Sequence, residues 1–303
     1  MREPSVSLGS RQGLPVGSAE TSCNAQHPAR ISGLSHFVLV GVLLDIVAMQ
    51  FLSKPCLALI LALAPVGFRP AGAVEAVYQV TQTGIPVVEI TAQFETRPDG
   101  YWMRSVSRAV GIGRLFAAHE IRSEAEGVWR AEGVAPQRFQ AEGNWRGDAR
   151  RTVMLYREGV PLPLELEPPE GATNEPVPLT ARRGAIDGLS AFALMSRTVS
   201  QTDRCDLTGP IFDGRRRLDW SSRTIGSVRI THSGKEIESL QCGLESRLVA
   251  GVRHGDDRAR ATQPRAAMAW LAKVDPRLPP IPIRVEFPST IFGSMRMELQ
   301  RIK

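Results

Sequence analysis

Val87-Val88-Glu89-Ile90-Thr91-Ala92-Gln93-Phe94-Glu95-Thr96-Arg97-Pro98-Asp99-Gly100-Tyr101-Trp102-Met103-Arg104-Ser105-Val106-Ser107-Arg108-Ala109 reads as a strand, a turn and a strand. In the first half Val88, Ile90, Ala92 and Phe94 alternate with polar neighbours. That period of two puts apolar side chains on one face of a pleated ribbon. In Arg97-Pro98-Asp99-Gly100 the proline presets the first central torsion of a tight turn, and the glycine accepts a positive φ without a Cβ clash.

Working outward, the same pattern recurs in both directions. Ala76 to Thr83 precedes it, with Gly84-Ile85-Pro86 between them. After it come Leu115 to Glu124, Gly127 to Arg130, Pro136 to Trp145 and Arg150 to Arg157. Residues 158–180 are rich in Pro and Glu and read as a long connection with at most one edge strand. Asp187 then has the character of a helix N-cap, and Leu189, Phe192, Ala193, Met195 and Val199 recur at helical spacing up to about Ser200. Strands return at Arg216 to Ser222, Val228 to His232 and Glu236 to Val252, and the chain closes on a hairpin from Ile283 to Ile302. There Ile283, Val285 and Phe287, and later Met295, Met297 and Leu299, alternate with charged residues and a glutamine, so one face is dry and one is wet. The expected fold is mainly β: a curved antiparallel sheet or partial barrel with one main α-helix.

Composition agrees. Of 303 residues, 43% are hydrophobic and 22% charged, enough apolar material for a core; collagen, coiled coil and a multi-pass membrane protein are excluded. The net charge of +6 invites a nucleic-acid reading, but the basic residues are mixed with acids. The densest run, Arg215-Arg216-Arg217, lacks the interleaved aromatics on which bases stack, so no nucleic-acid partner is expected.

The N-terminus points to export. The apolar run from Phe37 to Val66 is broken by Asp45, Gln50, Lys54 and Pro55, each costly or disruptive inside a spanning helix. Its second part has the three regions of a secretory signal: Lys54, the stretch Cys56 to Val66, and Ala71-Gly72-Ala73 as a small-residue cleavage site. Residues 49–73 therefore read as a signal peptide, with cleavage between Ala73 and Val74. Residues 1–48 read as an over-extended or disordered N-terminus, and 74–303 as a single domain. The competing reading makes Phe37 to Leu52 a membrane anchor with the rest of the chain outside. Either way the globular part is expected in the periplasm or its equivalent.

Past the leader only Cys205 and Cys242 remain. In an oxidising compartment such a pair is expected to form a disulfide. Neither cysteine has a Cys or His at zinc spacing, and there is no C-x-x-C, so no metal and no cofactor is expected.

Candidates for chemistry are few. Asp213-Gly214 reads as a turn entering a strand, with Arg215 and Arg217 on one face as candidate contacts for an anion. Alternation puts Arg216, Leu218 and Trp220 on the other face. His254-Gly255-Asp256-Asp257 reads as a solvated loop, His232-Ser233-Gly234 as a turn, and His119 and Glu120 as strand neighbours pointing apart. No nucleophile elbow, zinc-protease, phosphate-loop or dinucleotide motif occurs, so no catalytic residue is assigned. A hydrolase would need a buried Ser or Asp bonded to His119, His232 or His254. Trp102, Phe116, Trp129, Phe139, Trp145, Trp220 and Trp270 are candidates either for core filling or for lining an apolar cavity.

Pro210-Ile211-Phe212-Asp213-Gly214-Arg215-Arg216-Arg217 follows the helix after Asp187 and Cys205; Cys242, Trp270-Leu271 and Pro282-Ile283-Arg284-Val285-Glu286 come after it. From about Tyr78 to Leu299 this arrangement resembles a bacterial exported family known as domain of unknown function 3108. The resemblance implies a strand at Met268 to Lys273, where propensity alone suits a helix, and supplies no activity. The functional expectation is an exported protein binding an apolar or lipid-like ligand, or alternatively an envelope structural or interaction protein without enzymatic activity.

Overall fold

The computed structural model describes residues 72–115, 120–131, 133–145, 148–289 and 293–303. The extension 1–48, the leader through Ala71, Phe116, His119 and the side chain of Trp145 lie outside the described residues.

The strands are β1 (Val74–Gln82), β2 (Ile85–Thr96), β3 (Gly100–Ala109), β4 (Glu120–Arg130), β5 (Gly133–Trp145), β6 (Asp148–Arg157), β7 (Val160–Glu167), β8 (Leu207–Phe212), β9 (Arg217–His232), β10 (Lys235–Ala250), β11 (Arg265–Ala272), β12 (Ile281–Ser289) and β13 (Gly293–Ile302). Among the described residues three α-helices accompany them: α1 (Leu179–Arg182), α2 (Gly188–Thr202) and α3 (Arg258–Ala261). All the strands form one 13-stranded sheet in the order β7-β6-β5-β4-β3-β2-β1-β13-β12-β11-β10-β9-β8. Neighbours are antiparallel throughout, so the sheet is two meanders joined where the first strand meets the last. That junction places Tyr78 opposite Leu299 and Val80 opposite Met297, apolar against apolar on the concave face.

The sheet is nearly closed. Its free edges are β7 and β8, and the chain between them fills the seam. Ile186 forms a parallel bridge with Ile211 of β8, and the Gly184 amide donates to the Gly159 carbonyl at the β6–β7 turn, 2.8 Å. Further along, Glu175 N–H reaches Val252 O at 2.9 Å and Arg217 Nε reaches Ala181 O at 3.0 Å. A partial barrel with a strapped seam blunts the two edges that would otherwise pair with other chains.

Helix α2 begins where Asp187 accepts from Ser190 N–H and ends at Asp203 in the left-handed region, whose amide returns to Val199 O. Leu189, Ala193, Met195 and Val199 join the main core, while Ala191 joins a second cluster with Ile211, Leu218, Trp220 and Leu248. At its far end Cys205 bonds Cys242 of β10, with Cα atoms 6.3 Å apart. The covalent link therefore fixes the helix to the sheet's second meander.

The structure differs from the sequence reading in a few elements. Leu115 belongs to a 3-10 turn (Gly111–Leu115), and residues 120–130 form one strand, not two; Gly127 only shifts the register there. β9 also runs unbroken through Gly226, the strand being carried by its long partner β10. β8 was not expected, because Gly209 and Pro210 argue against a strand; as an edge strand it can hold a proline without losing a ladder bond. β11 is a strand, as the family resemblance implies and helix propensity does not.

Candidate functional site

Three groups of polar side chains are buried. The first surrounds the start of α2. Asp187 Oδ1 accepts from Ser190 N–H at 2.8 Å, and its Oδ2 accepts from Ser190 Oγ at 2.6 Å and from Tyr156 Oη at 3.0 Å. Tyr101 Oη donates to Ser190 Oγ at 2.6 Å. Burial pushes the Asp187 carboxyl above its usual range, and these hydrogen bonds offset part of the effect. Burial, reinforced by the Asp187 charge, raises Tyr101 and Tyr156. The set ties β3, β6 and α2 together. A hydrolytic reading needs a histidine here, and the described ones lie elsewhere: His254 Nε2 meets Gly171 O at 2.8 Å, and His232 ends β9 at the Ser233-Gly234 turn.

The second group is the arginine-rich turn between β8 and β9. Asp213 Oδ1 accepts from Arg215 N–H at 2.8 Å and Arg216 N–H at 2.7 Å, and Oδ2 accepts from Arg216 Nε at 2.7 Å. Burial works against the Asp213 charge, but Arg216 and the two amides outweigh it and hold this carboxyl below its ordinary value. Arg217 and Asp219 share the outer face and pair at 2.6 Å, whereas Leu218 and Trp220 are buried, as alternation requires. Arg215 Nη2 is buried without a hydrogen-bond partner among the described residues, and burial lowers this guanidinium's affinity for its proton. The His254 loop is structural: Asp257 caps α3 by accepting from Arg260 N–H at 2.7 Å.

The third group lies on the concave face, where no sequence motif marks it. A row of small side chains crosses five strands in register: Ala76 opposite Ala92, Ala92 opposite Ser105, Ser105 opposite Ser123, and Ser123 opposite Ala141. Within and beside it Tyr78 Oη, Ser105 Oγ and Ser107 Oγ are buried with no partner among the described residues, and so is Ser196 Oγ of α2. Burial alone raises Tyr78. On the second meander Trp220 Nε1 and Ser246 Oγ are likewise buried and unpaired. The signal in the sequence was the polar residue at a core phase, as in Met103-Arg104-Ser105-Val106-Ser107.

The aromatic residues do not gather into one lining. Phe139 and Trp220 face inward. Trp102 lies on the opposite face of β3 and bonds Glu124 at 3.0 Å. Trp129 stacks beside Tyr101, centroids 4.9 Å apart, and Trp270 lies under Arg284 at 5.8 Å. Among the described residues no group of three or more His, Cys, Asp or Glu is placed to hold a metal, and no helix is long and apolar enough to cross a membrane.

Comparison with known proteins gives a family and a distant fold neighbour. The family model described as "Protein of unknown function (DUF3108)" matches residues 77–300. A crystal structure of a β-barrel-like protein of domain of unknown function DUF1849 from Brucella abortus is similar at 12% identity, covering 76% of this chain and 97% of that one with a TM-score of 0.44. No curated protein matches significantly.

Proposed function

The chain belongs to the DUF3108 family, which brings no activity with it, and from that premise we propose an exported periplasmic protein that works by binding, taking an apolar or lipid-like ligand against its concave face. The observation that carries this reading is the set of unpaired polar atoms inside an otherwise apolar wall: Tyr78 Oη, Ser105 Oγ, Ser107 Oγ and Ser196 Oγ. Small-molecule sites have this composition, mostly apolar with a few polar groups that orient the ligand. Each such atom costs about 1–3 kcal/mol until something supplies its hydrogen bond. Entry requires the sheet to open, and the seam is where strand-to-strand pairing gives way to the strap of residues 174–187.

Export is supported by the signal-like segment 49–73 and by a cysteine pair placed for oxidation. Cleavage after Ala73 would leave Val74, the first residue of β1, as the mature N-terminus. Arg215, with its unpaired Nη2, is the stronger of the two anion contacts read from sequence, since Arg217 is committed to Asp219 and Ala181. The test is displacement of a fluorescent fatty acid from ligand-stripped protein, alongside fractionation of cells. Saturable uptake and a periplasmic product with Val74 at its N-terminus are expected; no uptake, or a cytosolic product, contradicts the reading.

A second reading has its own observation. Ala76, Val80, Val88, Ile90, Met154, Ala269, Ile281 and Ile283 are 0% exposed, so the concave face is packed against protein at these positions. A filled barrel favours an envelope interaction protein that works through its outer surface and edges. A stoichiometric protein partner captured from envelope extracts by ligand-free chain decides for this alternative.

A further inference from the structure

Several arginines of this domain that are at least half-buried have an acid. Arg182 is held by Glu170, Arg216 by Asp213 and Arg284 by Glu298. Arg265, like Arg215, has none. It sits at the start of β11, half-buried, on the phase that buries Ala267 and Ala269, and among the described residues no carboxylate pairs with it. Its charged neighbours are Arg216 and Arg260, and burial together with these two like charges weakens its hold on its proton. Directly opposite it across the strand pair is Ser246, 7% exposed, whose hydroxyl has no partner among the described residues. Nearby carboxylates are engaged: Asp213 with Arg216, and Asp257 with the amide of Arg260.

A half-buried cation among cations is costly unless an anion completes the group, and a guanidinium beside a hydroxyl offers donors in the geometry that oxyanions accept. We propose that this end of the concave face, between β9, β10, β11 and α3, binds a small oxyanion, a phosphate or carboxylate group, gripped by the Arg265 guanidinium and the Ser246 hydroxyl with Arg260 as a second cation. The site stands apart from the apolar-ligand reading: a free phosphate ion fills it as well as the head group of an amphipathic ligand.

The test is isothermal titration of the full, disulfide-bonded chain with inorganic phosphate, decanoate and decanol, in the parent protein and in Arg265→Gln, Ser246→Ala, Arg260→Gln and the exposed control Arg301→Gln. Phosphate binding that weakens at least tenfold in Arg265→Gln, and not in Arg301→Gln, identifies a free-anion site. Decanoate binding at least tenfold tighter than decanol, with the difference lost in Arg265→Gln, identifies an amphipathic ligand's head group. If Arg265→Gln does not fold, by circular dichroism, the exposed Arg260→Gln carries the same comparison with a smaller, about threefold, loss. Decanol binding as tightly as decanoate, with no phosphate binding, overturns the site and leaves the apolar-ligand reading standing. Losses equal to those of Arg301→Gln also overturn it, since they report only general charge.

Discussion

Replacing Asp187 with alanine tests how the helix is held in the barrel. The substitution deletes the N-cap acceptor of α2 and the acceptor for both Ser190 Oγ and Tyr156 Oη. Loss of a cap costs about 1 kcal/mol, and each buried donor left without a partner costs about 1–3 kcal/mol. Against this, a fully buried carboxylate no longer has to be desolvated. The net loss works out at about 3 kcal/mol, read as a lower urea midpoint at unchanged slope by tryptophan fluorescence.

Asp187→Asn is the control, because an amide oxygen still caps the helix through Ser190 N–H, while the amide nitrogen cannot accept from Tyr156 Oη or Ser190 Oγ. It should lose about 1 kcal/mol less than Asp187→Ala, the worth of the retained cap. The pH dependence has a defined sign. The folded-state pKa of Asp187 is raised, so the folded chain holds this proton more tightly. Its contribution is therefore fully favourable at low pH and is lost as pH rises through the folded value. Asp187→Asn should remove that loss. An alanine variant within 1 kcal/mol of the parent, or an asparagine variant as damaged as the alanine one, refutes the assignment.

Three further outcomes follow from the same geometry. Cys205 and Cys242 are separated by 37 positions, and closing a loop of that length is worth roughly 4 kcal/mol by chain entropy; reduction or Cys242→Ser should lower stability by about that amount in denaturant titration. Gly251 has φ of +83°, and a Cβ there would collide with the Arg215 carbonyl, so Gly251→Ala should cost about 3 kcal/mol or more, with a larger loss than Gly255→Ala, which meets open space. Asp213 is held below its ordinary pKa by Arg216 and two amides against the opposing effect of burial; its stabilisation is present above the unfolded carboxylate value and lost as pH falls through the folded one, and Asp213→Asn should flatten that acid limb of the stability curve.

Much of the fold was legible because its strands carry their own instructions. The Arg97-Pro98-Asp99-Gly100 segment and the flanking alternation mark the β2–β3 hairpin, although Gly100 does not take the expected positive φ and instead leaves room for the Gly127 carbonyl; Asp187 marks the start of α2 as a cap does. Closure of the sheet was not legible. Pairing of Tyr78 with Leu299 joins the two ends of the domain, and no local pattern encodes which strands meet. β8 was hidden by Gly209 and Pro210, and β11 by an alanine-rich composition that suits a helix. The polar groups on the concave face were missed for a related reason. Ser246 and Arg265 are neighbours only through strand pairing, and the sole trace in sequence is a polar residue at a buried phase, in Leu244-Glu245-Ser246-Arg247-Leu248 and Arg265-Ala266-Ala267. The conspicuous Arg215-Arg216-Arg217 run is split between two faces, because adjacent residues in a strand point apart.

The most direct test of the central claim is native mass spectrometry of the oxidised protein isolated from its own cells without denaturation. If the barrel works by holding a ligand, a species heavier than the polypeptide is present and collapses to the bare chain mass on transfer to organic solvent. The bare chain alone, in repeated preparations, contradicts it.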